Sequence, residues 1–92
     1  MSSPPHKVSI TYCAECGYEP QTLQLTEVLM RSFGSRLSSI ELIPWYEGSF
    51  DVAIDGTIVH SMYRDGGFPE PERIVQAVQA RLDQQLAAFG NG

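Results

Sequence analysis

Val8, Ile10 and Tyr12 alternate with Lys7, Ser9 and Thr11, a two-residue period that predicts a half-buried strand over Lys7 to Tyr12. Beyond the segment Cys13 to Glu19, Leu25, Val28, Leu29 and Phe33 recur at helical spacing behind Pro20. Proline suits the first helical turn, where an N–H has no partner to lose. The spacing predicts a helix from about Pro20 to Phe33, ended by Gly34 with a positive φ, and then a strand through Ser39 to Trp45. Phe50, Val52 and Ile54 next alternate with Asp51 and Ala53, Asp55-Gly56 supplies the positive backbone angles of a tight hairpin turn, and Thr57 to Met62 return. A two-residue loop sets Ile54 opposite Thr57, Val52 opposite Val59 and Phe50 opposite Ser61, with Asp51 and His60 meeting on the other side. After the break Gly66-Gly67-Phe68-Pro69, the positions Ile74, Val75, Val78, Leu82, Leu86 and Phe89 trace the apolar stripe of a helix reaching about Ala88.

The order β-α-β-β-β-α places the chain in the α/β (α+β) class. A strand-helix-strand unit of this length closes as a right-handed crossover between parallel strands, and the hairpin adds antiparallel ones, giving a four-stranded mixed sheet. Because the first strand and the hairpin each have one polar side, both helices are expected on the same face. The other face stays wet or open to a partner, interrupted by Ile43, Trp45 and Ile58. Residues 1–6, with Ser-Ser-Pro-Pro, read as a flexible leader, residues 7–89 as one domain and residues 90–92 as a flexible end.

Charge narrows the partners. The 92 residues hold 6 basic and 11 acidic side chains for a net charge of -5, and the basic ones are dispersed, so no nucleic-acid partner is expected. No apolar run approaches a secretory signal or a membrane span, which predicts a cytoplasmic protein with no membrane partner. The acidic charge and open sheet face permit a homodimer.

Two cysteines, Cys13 and Cys16, stand alone and close together, unlike the several spaced bridges of secreted mini-proteins. They lie between a strand and a helix, where two sulfurs separated by two residues can close a small disulfide ring and reopen it. The thiolate is the attacking form; free amides at the helix start favour it, while Glu15 and Glu19 oppose it. The alternatives are an inert buried pair or half of a zinc site, although such sites usually need four ligands and only His6 and His60 could add to the pair. No metal and no cofactor is expected. Tyr12 reads as core, Tyr18 as a shield beside the sulfurs, and Phe68 as a plug at a core edge.

The blocks Tyr12-Cys13-Ala14-Glu15-Cys16-Gly17-Tyr18, Gly48-Ser49-Phe50-Asp51-Val52, Asp55-Gly56-Thr57-Ile58-Val59-His60-Ser61 and Gly67-Phe68-Pro69, in this order, resemble the selenoprotein W group from residue 7 to about 88. The resemblance implies a thioredoxin-like fold and a thiol-disulfide redox role in antioxidant defence or cell redox homeostasis. It aligns Cys16 with the selenocysteine of selenium-containing members, making Cys16 the reactive atom and Cys13 its resolving partner; ordinary thioredoxins suggest the reverse. It also implies that the loop Trp45, Tyr46, Glu47, Gly48 and Ser49, running into Phe50, lies beside the dithiol with Tyr18; exposed aromatics there are expected either to receive a partner chain or, in the case of Trp45, simply to pack. Expected substrates are protein disulfides or peroxides, with glutathione or a thioredoxin system as reductant. Chain departs from family in lacking the third cysteine thought to hold glutathione in some vertebrate members. Thioredoxin's cis-proline has one candidate counterpart here, Pro44, which reads as structural. The rival function is a binding module in which the dithiol only senses redox state.

Overall fold

The computed structural model describes residues 6–90, with side chains as far as Gln84. Its elements are β1 (Lys7–Cys13), α1 (Glu19–Phe33), β2 (Ser39–Trp45), β3 (Phe50–Ile54), β4 (Thr57–Ser61), the single-turn α2 (Met62–Asp65) and α3 (Pro71–Gly90). A 3-10 turn at Gly34–Arg36 joins α1 to β2. The strands lie in the order β2-β1-β3-β4, with β1 parallel to β2 and antiparallel to β3, and β3 antiparallel to β4. This is the four-stranded mixed sheet of a thioredoxin-like fold.

The core follows from the two periodicities. Val8, Ile10, Phe50, Val52 and Ile54 project from one face of the sheet and meet Leu25, Leu29 and Phe33 of α1 and Ile74, Val78 and Leu82 of α3, all buried in one cluster. Both long helices therefore cover the same face. Leu86 and Phe89 lie outside the described side chains. On the opposite face Lys7 and Glu41 form an ion pair at 3.1 Å, and Trp45 and Ile58 are exposed. Pro44 sits in β2, an edge strand, where a residue without an N–H is tolerated.

The hairpin departs from the simple register. Ile54 pairs with Thr57 and Ala53 with Ile58, but Val52 pairs with His60 and Asp51 with Ser61, so Val59 is an extra residue in a bulge. The expected pairs of Val52 with Val59, Phe50 with Ser61 and Asp51 with His60 are replaced, because one inserted residue shifts the register and turns His60 to the opposite face. There its Nε2 lies 2.9 Å from the Gly67 carbonyl and its Nδ1 3.6 Å from Asp65. The return strand also ends one residue early: Met62 begins α2, stapled by the Ser61 N–H donating to Asp65. The hydrogen bond from the Arg64 guanidinium, helped by that Ser61 N–H, holds the Asp65 carboxyl down at about 2.

His6 belongs to the folded domain rather than to a leader. It is 4% exposed, its Nδ1–H donates to Asp55 at 2.9 Å, and its carbonyl accepts from the Ser38 N–H at 2.7 Å. At the other end Gly90 still lies in α3 instead of a loose end; residues 1–5 and 91–92 are outside the described residues. Asp55 ties three segments together, accepting from the Lys7 N–H, from His6 and from Arg81 of α3. Burial pushes its carboxyl pKa up, but the bonds from Lys7, His6 and Arg81 outweigh this and hold it below the ordinary value. A depressed folded-state pKa gives stability that is complete above the unfolded value of 3.8 and is lost as pH falls through the folded value. Asn tolerates the positive φ of 52° found at Asp55, so Asp55→Asn isolates the charge. It is expected to cost about 1–3 kcal/mol at neutral pH and to differ little from wild type near pH 2, as read by urea unfolding at both pH values; an equal loss at both would refute the electrostatic account.

Candidate functional site

Cys13 ends β1 and Cys16 lies in the turn before α1, with Cα atoms 5.3 Å apart and the sulfurs joined as a disulfide. The two sides of that bond differ in access. Cys13 is fully buried, whereas Cys16, Glu15 and Gly17 are exposed. The turn is tight because the Gly17 N–H returns to the Ala14 carbonyl at 3.3 Å, and Gly17 takes a φ of +77° that a side chain would strain. Tyr18 then caps α1: its carbonyl accepts from the Thr22 N–H at 3.1 Å and from the Thr22 hydroxyl at 2.9 Å. The positive end of α1 consequently starts three residues past Cys16.

The loop between β2 and β3 is fastened alongside. The Cys13 N–H donates to the Ser49 carbonyl at 2.8 Å and the Ala14 N–H to the Trp45 carbonyl at 3.1 Å. Ser49 is buried and its hydroxyl donates to the Tyr46 carbonyl at 2.7 Å, bracing the loop from within. Positive φ angles at Glu47 and Gly48 turn the chain between them. A Cβ built at Gly48 would stand 3.8 Å from the Tyr18 hydroxyl, so this part of the loop abuts Tyr18. Trp45 and Tyr46 stay 55% and 59% exposed, their rings 5.3 Å apart.

Of the residues predicted for the site, Cys13, Cys16, Trp45, Gly48, Ser49 and Tyr18 are brought together. Phe50 is corrected. It is only 1% exposed, because as the first residue of β3 it pairs with Tyr12 and turns into the core, where it supports the loop and cannot touch a partner. Phe68 lies edge-on against both Tyr18 and Phe50, at 4.8 Å and 5.1 Å between ring centres, at the core edge that the sequence suggests but still 39% exposed.

Sequence reasoning missed Tyr63. Its hydroxyl donates to the Glu47 carbonyl, so α2 braces the loop from the far side. No periodic signal could have found it, since a one-turn helix is too short to show one. An open groove of about 700 Å3 runs between β4, α2 and the start of α3, lined by His60, Arg64, Asp65, Glu70 and Arg73 among others. Among the described residues no group of three or more His, Cys, Asp or Glu side chains is placed to hold a metal, and no helix is long and apolar enough to cross a membrane.

The chain is similar to several known proteins. Selenoprotein W of Mus musculus is 37% identical over 82 residues, covering 84% of this chain and 93% of that protein. Migration and invasion enhancer 1 of Bos taurus is 30% identical over 73 residues, covering 79% of this chain and 62% of that protein. Among solved structures, one from Bordetella parapertussis superposes with a TM-score of 0.81 at 28% identity, over 84% of this chain and 98% of the other. A selenoprotein W-related protein from Vibrio cholerae gives 0.78 at 25% identity, over 82% and 94%. The Rdx family pattern matches residues 7–80, from the first strand well into the last helix. The chain belongs to the Rdx family, as a selenoprotein W-like member carrying a Cys13–Cys16 disulfide.

Proposed function

We propose that the protein is a thiol-disulfide oxidoreductase in which Cys16 exchanges with partners and Cys13 resolves. The observation that carries this reading is the difference in access: an external sulfur can reach exposed Cys16 but not buried Cys13. In the oxidised form a partner thiolate attacks the Cys16 sulfur, the Cys13–Cys16 bond breaks, and Cys13 leaves as a thiolate that takes up a proton. A second partner thiolate attacks the partner's sulfur in the mixed disulfide and expels the Cys16 thiolate, so two electrons pass from partner to protein. The reverse sequence reduces a protein disulfide. With a peroxide, the Cys16 thiolate attacks one oxygen, the O–O bond breaks, the other oxygen leaves as water or an alcohol after taking up a proton, and Cys13 condenses with the resulting sulfenic acid to release water and restore the disulfide.

Glutathione or a thioredoxin-type dithiol serves as reductant, in the reducing cytoplasm, with a role in redox homeostasis. A second reading, a redox-sensing interaction module, is favoured by the exposed Trp45 and Tyr46.

The test is equilibration with a graded series of glutathione buffers, approached from both oxidised and reduced protein. A reversible transition with a midpoint between about -200 and -300 mV is expected. A pair that stays oxidised, or stays reduced, across the series defeats the proposal.

A further inference from the structure

We infer that the partner exchanging with Cys16 is cationic around its own sulfur, a cysteine flanked by lysine or arginine, and that anionic thiols such as glutathione react at a disadvantage. This rests on the redox reading above and narrows its substrate class.

Two independent features point to that class. The first is the charge around the reacting atom. Exposed Cys16 has exposed Glu15 before it and exposed Glu19 three residues on, and the loop fastened to Cys13 and Ala14 carries exposed Glu47. Neither the 13–19 turn nor the 45–49 loop contains a lysine, arginine or histidine. The chain's lysine and arginines are engaged elsewhere: Lys7 with Glu41, Arg31 with Glu27, Arg64 with Asp65, Arg81 with Asp55, and Arg36 over the Phe33 ring. Arg73 lines the groove that it shares with Asp65 and Glu70. A carboxylate one to three residues from the sulfur acts within roughly one Debye length, about 8 Å at physiological ionic strength. The second feature is the aromatic pair Trp45 and Tyr46. Both are more than half exposed, and an exposed indole or phenol ring attracts an ammonium or guanidinium group over its face. Carboxylates and rings thus select the same charge by different physics.

The exchange itself is the one balanced above; charge acts on the encounter that precedes it, where a partner thiolate must approach a negative rim. Lysines beside that thiolate offset the repulsion and add contacts to the rim. Glutathione, a net anion at neutral pH, offsets nothing.

The test uses two synthetic peptides that differ only in whether their single cysteine is flanked by lysines or by glutamates. Each is reacted with the oxidised protein, and loss of the Cys13–Cys16 disulfide is followed by acid quench and mass spectrometry. Rates are divided by each peptide's rate with the neutral bis(2-hydroxyethyl) disulfide, which removes differences in intrinsic thiol reactivity. The lysine peptide is expected to lead by roughly tenfold at low salt, with the lead largely lost near 1 M salt, where the Debye length is about 3 Å. The combined variant Glu15→Gln, Glu19→Gln and Glu47→Gln is expected to cut the lead several-fold at low salt. Equal normalised rates with wild type, or a lead that the variant leaves intact, overturn the charge inference while leaving the redox reading standing. Failure of both peptides to open the disulfide overturns both.

Discussion

Replacing Cys16 with serine is expected to abolish thiol-disulfide turnover, lowering the rate by at least about a thousandfold, to the level of the reagent blank. The buried sulfur of Cys13 remains, but no external disulfide reaches it, and a serine hydroxyl does not ionise near neutral pH. The measurement is reduction of a protein disulfide by the pre-reduced variant, scored by alkylation of released thiols. The same variant separates the two readings of function. A catalyst loses its activity, whereas a redox-sensing module keeps its partner when Cys16 is changed. Residual turnover near the wild-type rate would mean that Cys13 is the sulfur in contact with substrate, contrary to the exposure pattern.

The second large effect is on stability. Leu29 is fully buried where α1 crosses the sheet, in the cluster that also holds Val8, Ile10 and Val52. Leu29→Ala removes that contact and leaves a cavity, at an expected cost of about 2–5 kcal/mol. For a domain of this size that is a large share of a total of roughly 5–10 kcal/mol. Leu23 on the same helix is 59% exposed, and Leu23→Ala is expected to change stability by about 0.5 kcal/mol or less. Urea unfolding of the two variants gives the comparison; similar losses would mean that α1 does not seat on Leu29. Because α1 begins just beyond Cys16, the loss of its seat is also expected to loosen the turn that presents the sulfur.

The parts of the fold that the sequence made legible are those with sustained periodicity. Alternation marked β1 and β3, the 3.6-residue stripe marked α1 and α3, and Asp55-Gly56 marked the hairpin turn because positive φ at two successive positions selects such residues. The bulge at Val59 escaped because an inserted residue leaves no compositional mark: Val59 is as good a strand residue paired or unpaired, and only the fate of His60 reveals it. His6 escaped for a different reason. Its partner Asp55 is 49 positions away, and a histidine after two prolines looks the same whether it trails or folds back.

At the site, sequence spacing identified the cysteine pair and the resemblance identified the loop, but neither gave direction. Phe50 and Ser49 were grouped with the contact surface although both face inward, because a loop-to-strand junction does not announce where its first inward side chain falls. The surface left for a partner is accordingly Cys16 with Trp45 and Tyr46, edged by the less exposed Tyr18 and Gly48. Tyr63 and Phe68, both also exposed, flank it, one fixing the loop at Glu47 and the other packing edge-on against Tyr18. Access to Cys16 thus depends on a frame assembled from β1, the β2–β3 loop, α2 and the segment before α3.

The most direct test of that access is made on the Cys13→Ser variant, reduced and then exposed to a small disulfide. The account requires a mixed disulfide that accumulates to about one per chain, maps by peptide mass to Cys16 and persists because no second thiol can expel it. Absence of an adduct on Cys16, or equally rapid labelling of Cys13 in the folded Cys16→Ser variant, would contradict it.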